Sequence, residues 1–506
     1  MGKLLIGWAE ESLLPGKKIE LAGQFYERVS DEVDTPLDAT AMAIEKDGYK
    51  AIIVSADIGE VQPFLLNLAR EYFKELNSEV EPENLIFGAT HTHTSHTFGN
   101  PADNASGISA VVIIQEYMGD AEYEATAPID DDDVMKPVES TRLVAKQVAI
   151  AADRAWRNRK GAYYTNEFGR AAVGMCRRVT YDDGSAQMWG DSNTANFVAL
   201  EGGNDSGIEL LYIYDENKEL TGVVANLCCP AQILGQRSII SADFWGKTKA
   251  ILREKLGKDI FLLELCGAAG DQCPRDLVRW VTPETPIADP NIKRPHPLKR
   301  KADPSMYDMS GCVKVGKRIA NEILSVLEDA DEPKTDPKFI HEVLSVDLPL
   351  RKVTPEEFAA ADKALREMAA LAKTDKFTFE DTAKMYVHAG AVKRFREQQF
   401  KETFNVELHV IRFGEIALVT CPFELFLDYG NRVKARSYAE QTMIMQLTCG
   451  RGGYLPTEKA EKGGHYSAYV ASGTVGHEGG DMLVRIMLDH INRMFEETDY
   501  EKNKYR

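Results

Sequence analysis

Apolar and polar positions alternate along this chain in two periods. Runs rich in β-branched residues and bounded by turn formers recur at 50–57 (KAIIVSAD), 84–90 (NLIFGAT), 209–216 (ELLYIYDE), 221–229 (TGVVANLCC) and 260–266 (IFLLELC), and read as strands. Between some of them the period changes to that of a helix. Segment 61–76 places Leu65, Leu68, Tyr72 and Leu76 on one face, and 141–159 does so with Val144, Val148, Ala151 and Ala155. From 354 to 402 the pattern is again helical, with Thr354 placed to cap and Pro355 suited to the first turn. Residues 407–426 predict a β-hairpin turning at Phe413, Gly414 and Glu415, then a loop and a helix, and a last helix is expected over 479–496. The expected fold is α/β, with mixed sheets layered by helices on their outer faces.

Two stretches interrupt the pattern: 119–139 is acidic and turn-rich, and 280–306 carries six prolines. Both are expected to be surface excursions, the first either a solvated loop or a lid or cation-binding segment. Without an internal repeat or a low-complexity linker, residues 1–506 are expected to form one domain.

Composition narrows the function. Sixty basic against 79 acidic residues give a formal charge of −19, which disfavours nucleic acid and anionic membranes as partners. Glu10, Glu11 and Pro15 interrupt the N-terminal apolar stretch before it could serve as a secretory signal. No segment approaches the roughly 18 apolar residues that cross a bilayer. Eight cysteines, with no CxxC spacing, are expected to be reduced thiols, consistent with a cytoplasmic protein. Oligomeric state leaves no trace in the sequence.

Candidate chemistry gathers where strands end, as ligand sites do in open α/β sheets. The stretch GATHTHTSH follows a strand and carries His91, His93 and His96; in extended chain His91 and His93 point to one side. They could share a metal ion, divide ligation and proton transfer between them, or belong to a polar loop. After the strand 221–229, NLCCPAQILG passes Gln232 and leads to Asp243, whose commoner role is to cap the following helix. The turn LCGAAGDQCPRDL holds Gly267 and Gly270, which permit close backbone approach to a ligand, with Asp271 and Cys273 at its tip; it lacks the ending of a phosphate loop. Glu424 follows an apolar strand and Tyr454 follows two glycines, where either could cap or pack.

Taken in order, these junctions resemble the neutral (non-lysosomal) ceramidase family. GATHTHTS looks like its GTHTHSGP zinc motif, GAAGDQCPR is similar to its GDVSPN motif, and residues 6–59 are similar to its opening segment. CPFELF and GGYLPTEKAEKGGHY stand where the family keeps its late glutamate and tyrosine segments. The resemblance implies one zinc ion, or another divalent metal, held by His91, Glu424 and Tyr454. It also implies a proton-handling His93, with Arg177 and Tyr466 steadying an oxyanion. Three features depart from the family. No histidine occurs from 97 to 295, so Gln232 stands nearest the place of the second zinc histidine; Cys273 replaces the serine; and the family's C-terminal immunoglobulin-like domain is not expected within residues 1–506. Gln232, Asp271 and Cys273 are therefore expected to contact substrate. These departures point away from ceramide toward a small soluble molecule. The expectation is a metal-dependent hydrolase of an amide (N-acyl) or similar polar bond. The alternatives are a catalytically silent binding protein and a hydrolase of glycosidic or ester bonds.

Overall fold

A computed structural model describes all residues except 1, 25, 103–109, 122–130, 282–300, 303–307, 375–376 and 504–506. Much of the two excursions therefore lies outside the described residues. Their described parts include a two-residue strand Val134–Met135 and the antiparallel pair Trp280–Val281 with Lys301–Ala302.

Three mixed sheets form the frame. The first orders Leu85–Ala89, Tyr49–Ala56, Asp38–Lys46, Leu5–Ser12 and Lys160–Gly161, with only the first pair parallel. The second orders Phe261–Cys266, Leu220–Leu227, Gly207–Tyr214 and Tyr163–Arg170, again with one parallel pair. The third orders Phe339–Pro349, Thr403–Phe413, Ile416–Thr420 and Gln441–Met445. The expected hairpin is present, closing Phe413 on Ile416 across Gly414 and Glu415, and Gly414 supplies the φ of 58° that the turn requires. Each seven-to-nine-residue apolar run read as a strand forms one of five to eight residues, with ends shifted by no more than two residues.

The sheets face one another and the helices lie outside. One core cluster joins the first sheet to Leu211, Val224 and Leu263 of the second and Ile411, Leu418 and Met443 of the third. Helices Pro63–Leu76 and Pro137–Arg157 cover the first sheet, Asp243–Leu256 and Asp308–Glu328 the second, and Leu427–Lys434 with His477–Asn503 the third. This is the α/β layering expected. The 354–402 region is two helices, Pro355–Ala372 and Phe379–Glu397, and Thr354 caps the first by accepting from the Glu357 N–H at 3.1 Å.

One helical face differs from expectation. In Pro63–Leu76 the buried residues are Leu65, Leu66, Ala69 and Phe73, while Leu76 is 43% exposed. The i, i+3, i+4 rule gives a stripe but not its centre: Leu68 and Tyr72 pack against the core while only partly buried, and the stripe is centred toward Leu66, Ala69 and Phe73. All eight cysteines are free and buried. Among the described residues no helix is long and apolar enough to cross a membrane.

Candidate active site

The motif histidines stand just beyond the strand Leu85–Ala89. The segment is not the extended chain that alternation would need, yet it still separates the two residue types: Thr92 and Thr94 both donate to the Ser241 carbonyl (2.8 and 2.7 Å), while the His91 and His93 rings meet edge-on with centroids 4.9 Å apart. His91 adopts a left-handed φ of 64°, uncommon for a residue with a Cβ. Its Nδ1 lies 2.5 Å from the Gly59 carbonyl, which can only accept, so Nδ1 carries the proton and Nε2 is aimed elsewhere. His96 leaves the group: it is buried, with Nε2 at 2.8 Å from the Leu13 carbonyl and Nδ1 at 3.0 Å from the Ser140 hydroxyl.

Glu424 and Tyr454 reach the histidines through a second device. Strands Phe423–Leu425 and Gly453–Leu455 pair in parallel and set Glu424 directly opposite Tyr454. Facing residues of a ladder project to the same side. Glu424 Oε2 comes to 3.3 Å from His91 Nε2, and Tyr454 hydrogen-bonds the same carboxylate. The Tyr466 and Tyr454 hydroxyls are 3.3 Å apart.

Arg177 closes the arrangement. Its guanidinium donates to the Gly270 carbonyl (2.9 Å), the Tyr454 hydroxyl (3.3 Å) and Gln232 Oε1 (3.4 Å), and lies 3.9 Å from Glu424 Oε2. Gln232 is thus gathered to the same place, its Nε2 buried without a partner.

Asp271 and Cys273 are held by the chain itself. Asp271 Oδ1 accepts from the Leu427 N–H at 2.8 Å; Cys273 is fully buried and donates to the Arg275 carbonyl at 3.2 Å. The close approach granted by Gly270 is to another strand: a Cβ there would lie 2.3 Å from the Glu424 carbonyl oxygen. Asp243, at the head of its helix, accepts from the N–H groups of Phe244 and Leu234 at 2.8 and 2.7 Å and so ties the 227–234 turn to the helix.

Burial sets the electrostatics. Desolvation disfavours a charged His91, but Glu424 outweighs it and raises its pKa. Burial would raise Glu424, and His91 with Arg177 bring it below the usual range. His93 is pushed well down, first by desolvation and then by His91, Arg177 and Arg28, so its imidazole is neutral. It donates to the Gly23 carbonyl and leaves a buried Nε2 without a partner. Gly23, at φ 96°, is needed there, because a Cβ would fall 2.5 Å from His93 Cγ. Burial lifts Cys273 to about 11 despite Arg177, which keeps it a thiol at neutral pH.

Some contributors escaped the sequence reading. Arg178, fully buried, pairs with Glu201 at 2.5 Å and donates to the carbonyls of Tyr466 (2.9 Å) and Gly464 (2.8 Å), clamping the loop that carries Tyr466. The Arg-Arg pair 177–178, at the entry to the strand Arg178–Tyr181, is a usable signal. Arg451, paired with Glu60 at 2.5 Å, adds a second cation whose field reaches Glu424 and Tyr466.

The donors fit a borderline divalent ion. With Nδ1 of His91 committed to Gly59, a neutral ring turns a bare Nε2 toward the Glu424 carboxylate, two acceptors that need a proton or a metal cation between them. Imidazole, carboxylate and phenol together are ligands that zinc accepts.

Solved structures of the same shape exist. The chain matches the crystal structure of neutral ceramidase from Pseudomonas aeruginosa with a TM-score of 0.64 and 14% identity, over 98% of this chain and 75% of that one. It matches a second structure, a ceramidase complexed with C2, with a TM-score of 0.65 and 12% identity, over 98% and 76% of the two chains. No family model and no curated protein sequence matches. This chain has the fold of the neutral ceramidases.

Proposed function

We propose that this protein is a metal-dependent hydrolase that cleaves an amide (N-acyl) or similar polar bond of a small soluble substrate. The observation that carries the reading is the convergence of His91, Glu424 and Tyr454, from separate regions of the chain, beside a buried Arg177. His91 Nε2, a Glu424 oxygen and the Tyr454 oxygen would hold a zinc ion. Bound zinc would lower the pKa of a water to about 7 and so supply hydroxide at neutral pH.

The chain's own groups account for the rest. Neutral His93, with its unpartnered Nε2, accepts a proton in the site and returns it to the leaving nitrogen or oxygen. Arg177 and Tyr466 donate hydrogen bonds to the oxyanion that develops as the carbonyl carbon becomes tetrahedral. Arg177 is held in advance by the Gly270 carbonyl, so it need not reorganise during the reaction. The amide side chain of Gln232, one end on Arg177 and the other unpartnered, orients the substrate. The carboxylate of Asp271 and the thiol of Cys273, both bonded to backbone, shape the site's wall.

Elemental analysis of the purified protein, coupled to a panel of N-acyl, ester and glycosidic substrates, tests this. We expect bound divalent metal and N-acyl hydrolysis, with His91→Ala and Glu424→Ala each losing one equivalent of metal together with the hydrolysis. His93→Ala should retain metal and lose about 100-fold or more in rate. Metal-free protein that is fully folded and inert on the whole panel would instead identify a binding protein.

A further inference from the structure

Away from this site, a second imidazole, carboxylate and thiol meet. Glu407 and His409 stand two apart on the strand Thr403–Phe413, on one face by alternation. Cys449 is brought beside them because its N–H donates to the Phe87 carbonyl at 2.9 Å. His409 Nε2 is 2.9 Å from Glu407 Oε1 and 3.5 Å from Cys449 Sγ, and one ligand atom from each residue falls within 4.8 Å of the others.

Where the protons sit makes this cluster unusual. His341 Nδ1 lies 2.8 Å from the Lys50 carbonyl, which only accepts, so a neutral His341 presents a bare Nε2. His409 Nδ1, 2.9 Å away, is then the donor in that pair, and a neutral His409 turns its own bare Nε2 toward Glu407. Glu407 receives both arms of Arg70, at 2.9 and 2.6 Å, the fork geometry of an ionised carboxylate. A lone pair therefore faces a carboxylate in the interior; the Cys449 thiol, 3.5 Å from Nε2, can offer its single proton to one of the two, and a cation between them would satisfy both. An extra proton on the imidazole pair would satisfy one contact. A metal ion would satisfy all three donors, and the surroundings are those of a metal site: an imidazole whose far N–H is committed, and a carboxylate that is itself hydrogen-bonded.

We propose that Glu407, His409 and Cys449 bind a divalent transition-metal ion of the zinc class, at a site separate from the one containing His91. A thiolate with imidazole and carboxylate selects zinc-like ions over calcium or magnesium. Binding releases the Cys449 thiol proton to solvent, and the two anionic ligands neutralise the ion. Glu407, with 26% of its side chain exposed, leaves a route of entry and room for water as a fourth ligand. The ion pins the strand Thr403–Phe413 to the turn that leads to Tyr454, so its role is structural.

Full-length protein, stripped with chelator and titrated with Co²⁺, tests the site. We expect thiolate-to-cobalt charge-transfer absorption that saturates at one thiolate-bound ion and persists in the His91→Ala/Glu424→Gln double variant. That persistence separates this site from the proposed catalytic one. The band should vanish in Cys449→Ser, a near-isosteric change, and His341→Ala should weaken Co²⁺ binding about 10- to 100-fold. Wild-type protein without the band, or a band that survives in Cys449→Ser, would overturn the proposal and leave a protonated imidazole pair in its place.

Discussion

Three histidines within six residues take three different fates, and the partners of each ring decide which. His91 has one nitrogen tied to a carbonyl and the other aimed at a carboxylate; His93 has one tied and one unpartnered; His96 has both engaged by Leu13 and Ser140. His96 is thus a buried neutral imidazole, and desolvation lowers its pKa to about 4. Between that value and the usual 6.5 the unfolded chain binds more protons than the folded one, so stability is full above about pH 6.5 and falls as the pH drops. The gap is worth roughly 3 kcal/mol from this one group. Denaturant melts from pH 7 to 4 should show that decline, and His96→Gln should flatten it relative to wild type.

Among the elements, short strands carry the candidate site, and they are placed by contacts that tolerate no added volume. The parallel pair Phe423–Leu425 and Gly453–Leu455 sets Glu424 against Tyr454, and Gly270 lets the 267–273 turn lie directly on the Glu424 backbone. The sequence shows a glycine-rich turn after an apolar strand but not what approaches it, because close approach to a ligand and to another strand make the same demand on a residue. Gly270→Ala should cost about 1–3 kcal/mol by overpacking. It should also reduce hydrolysis more than an equally destabilising core change elsewhere, since it displaces Glu424; activity measured against melting temperature distinguishes the two effects. Thr354 and Gly414, by contrast, were legible at once: cap and turn are local, and each is fixed by residues within four positions.

At the scale of the molecule, a buried charge network binds the layers. Lys249, on the helix Asp243–Leu256, lies 3.1 Å from Glu10, 3.3 Å from Asp38 and 3.3 Å from Glu264, which belong to the first and second sheets. Burial alone would lower its pKa, but Glu264, Asp57, Glu10 and Asp38 raise it, so it stays charged. Lys249→Met would strand carboxylates in the interior and should lower stability by about 3–5 kcal/mol, read from denaturant unfolding. No periodicity announces such a residue: at its position in an amphipathic helix a lysine reads as solvent-facing.

The types of the elements and the residues able to do chemistry are settled locally, by the order of residues alone. Hydrophobic period, capping and turn formation act over a few neighbours, and the order of histidine, arginine, glutamate and tyrosine is written in the chain. Which of those groups meet is a matter of how the sheets and turns pack. That packing withdrew His96, bound Asp271 and Cys273 to backbone, turned Leu76 outward, joined Arg177 to Gln232, and assembled Glu407, His409 and Cys449 around one point. Apart from the Cys273 bond, which reaches only two residues along the chain, these outcomes depend on strand register and close approach between distant segments, and proton placement on an imidazole follows from whichever carbonyl happens to stand beside it.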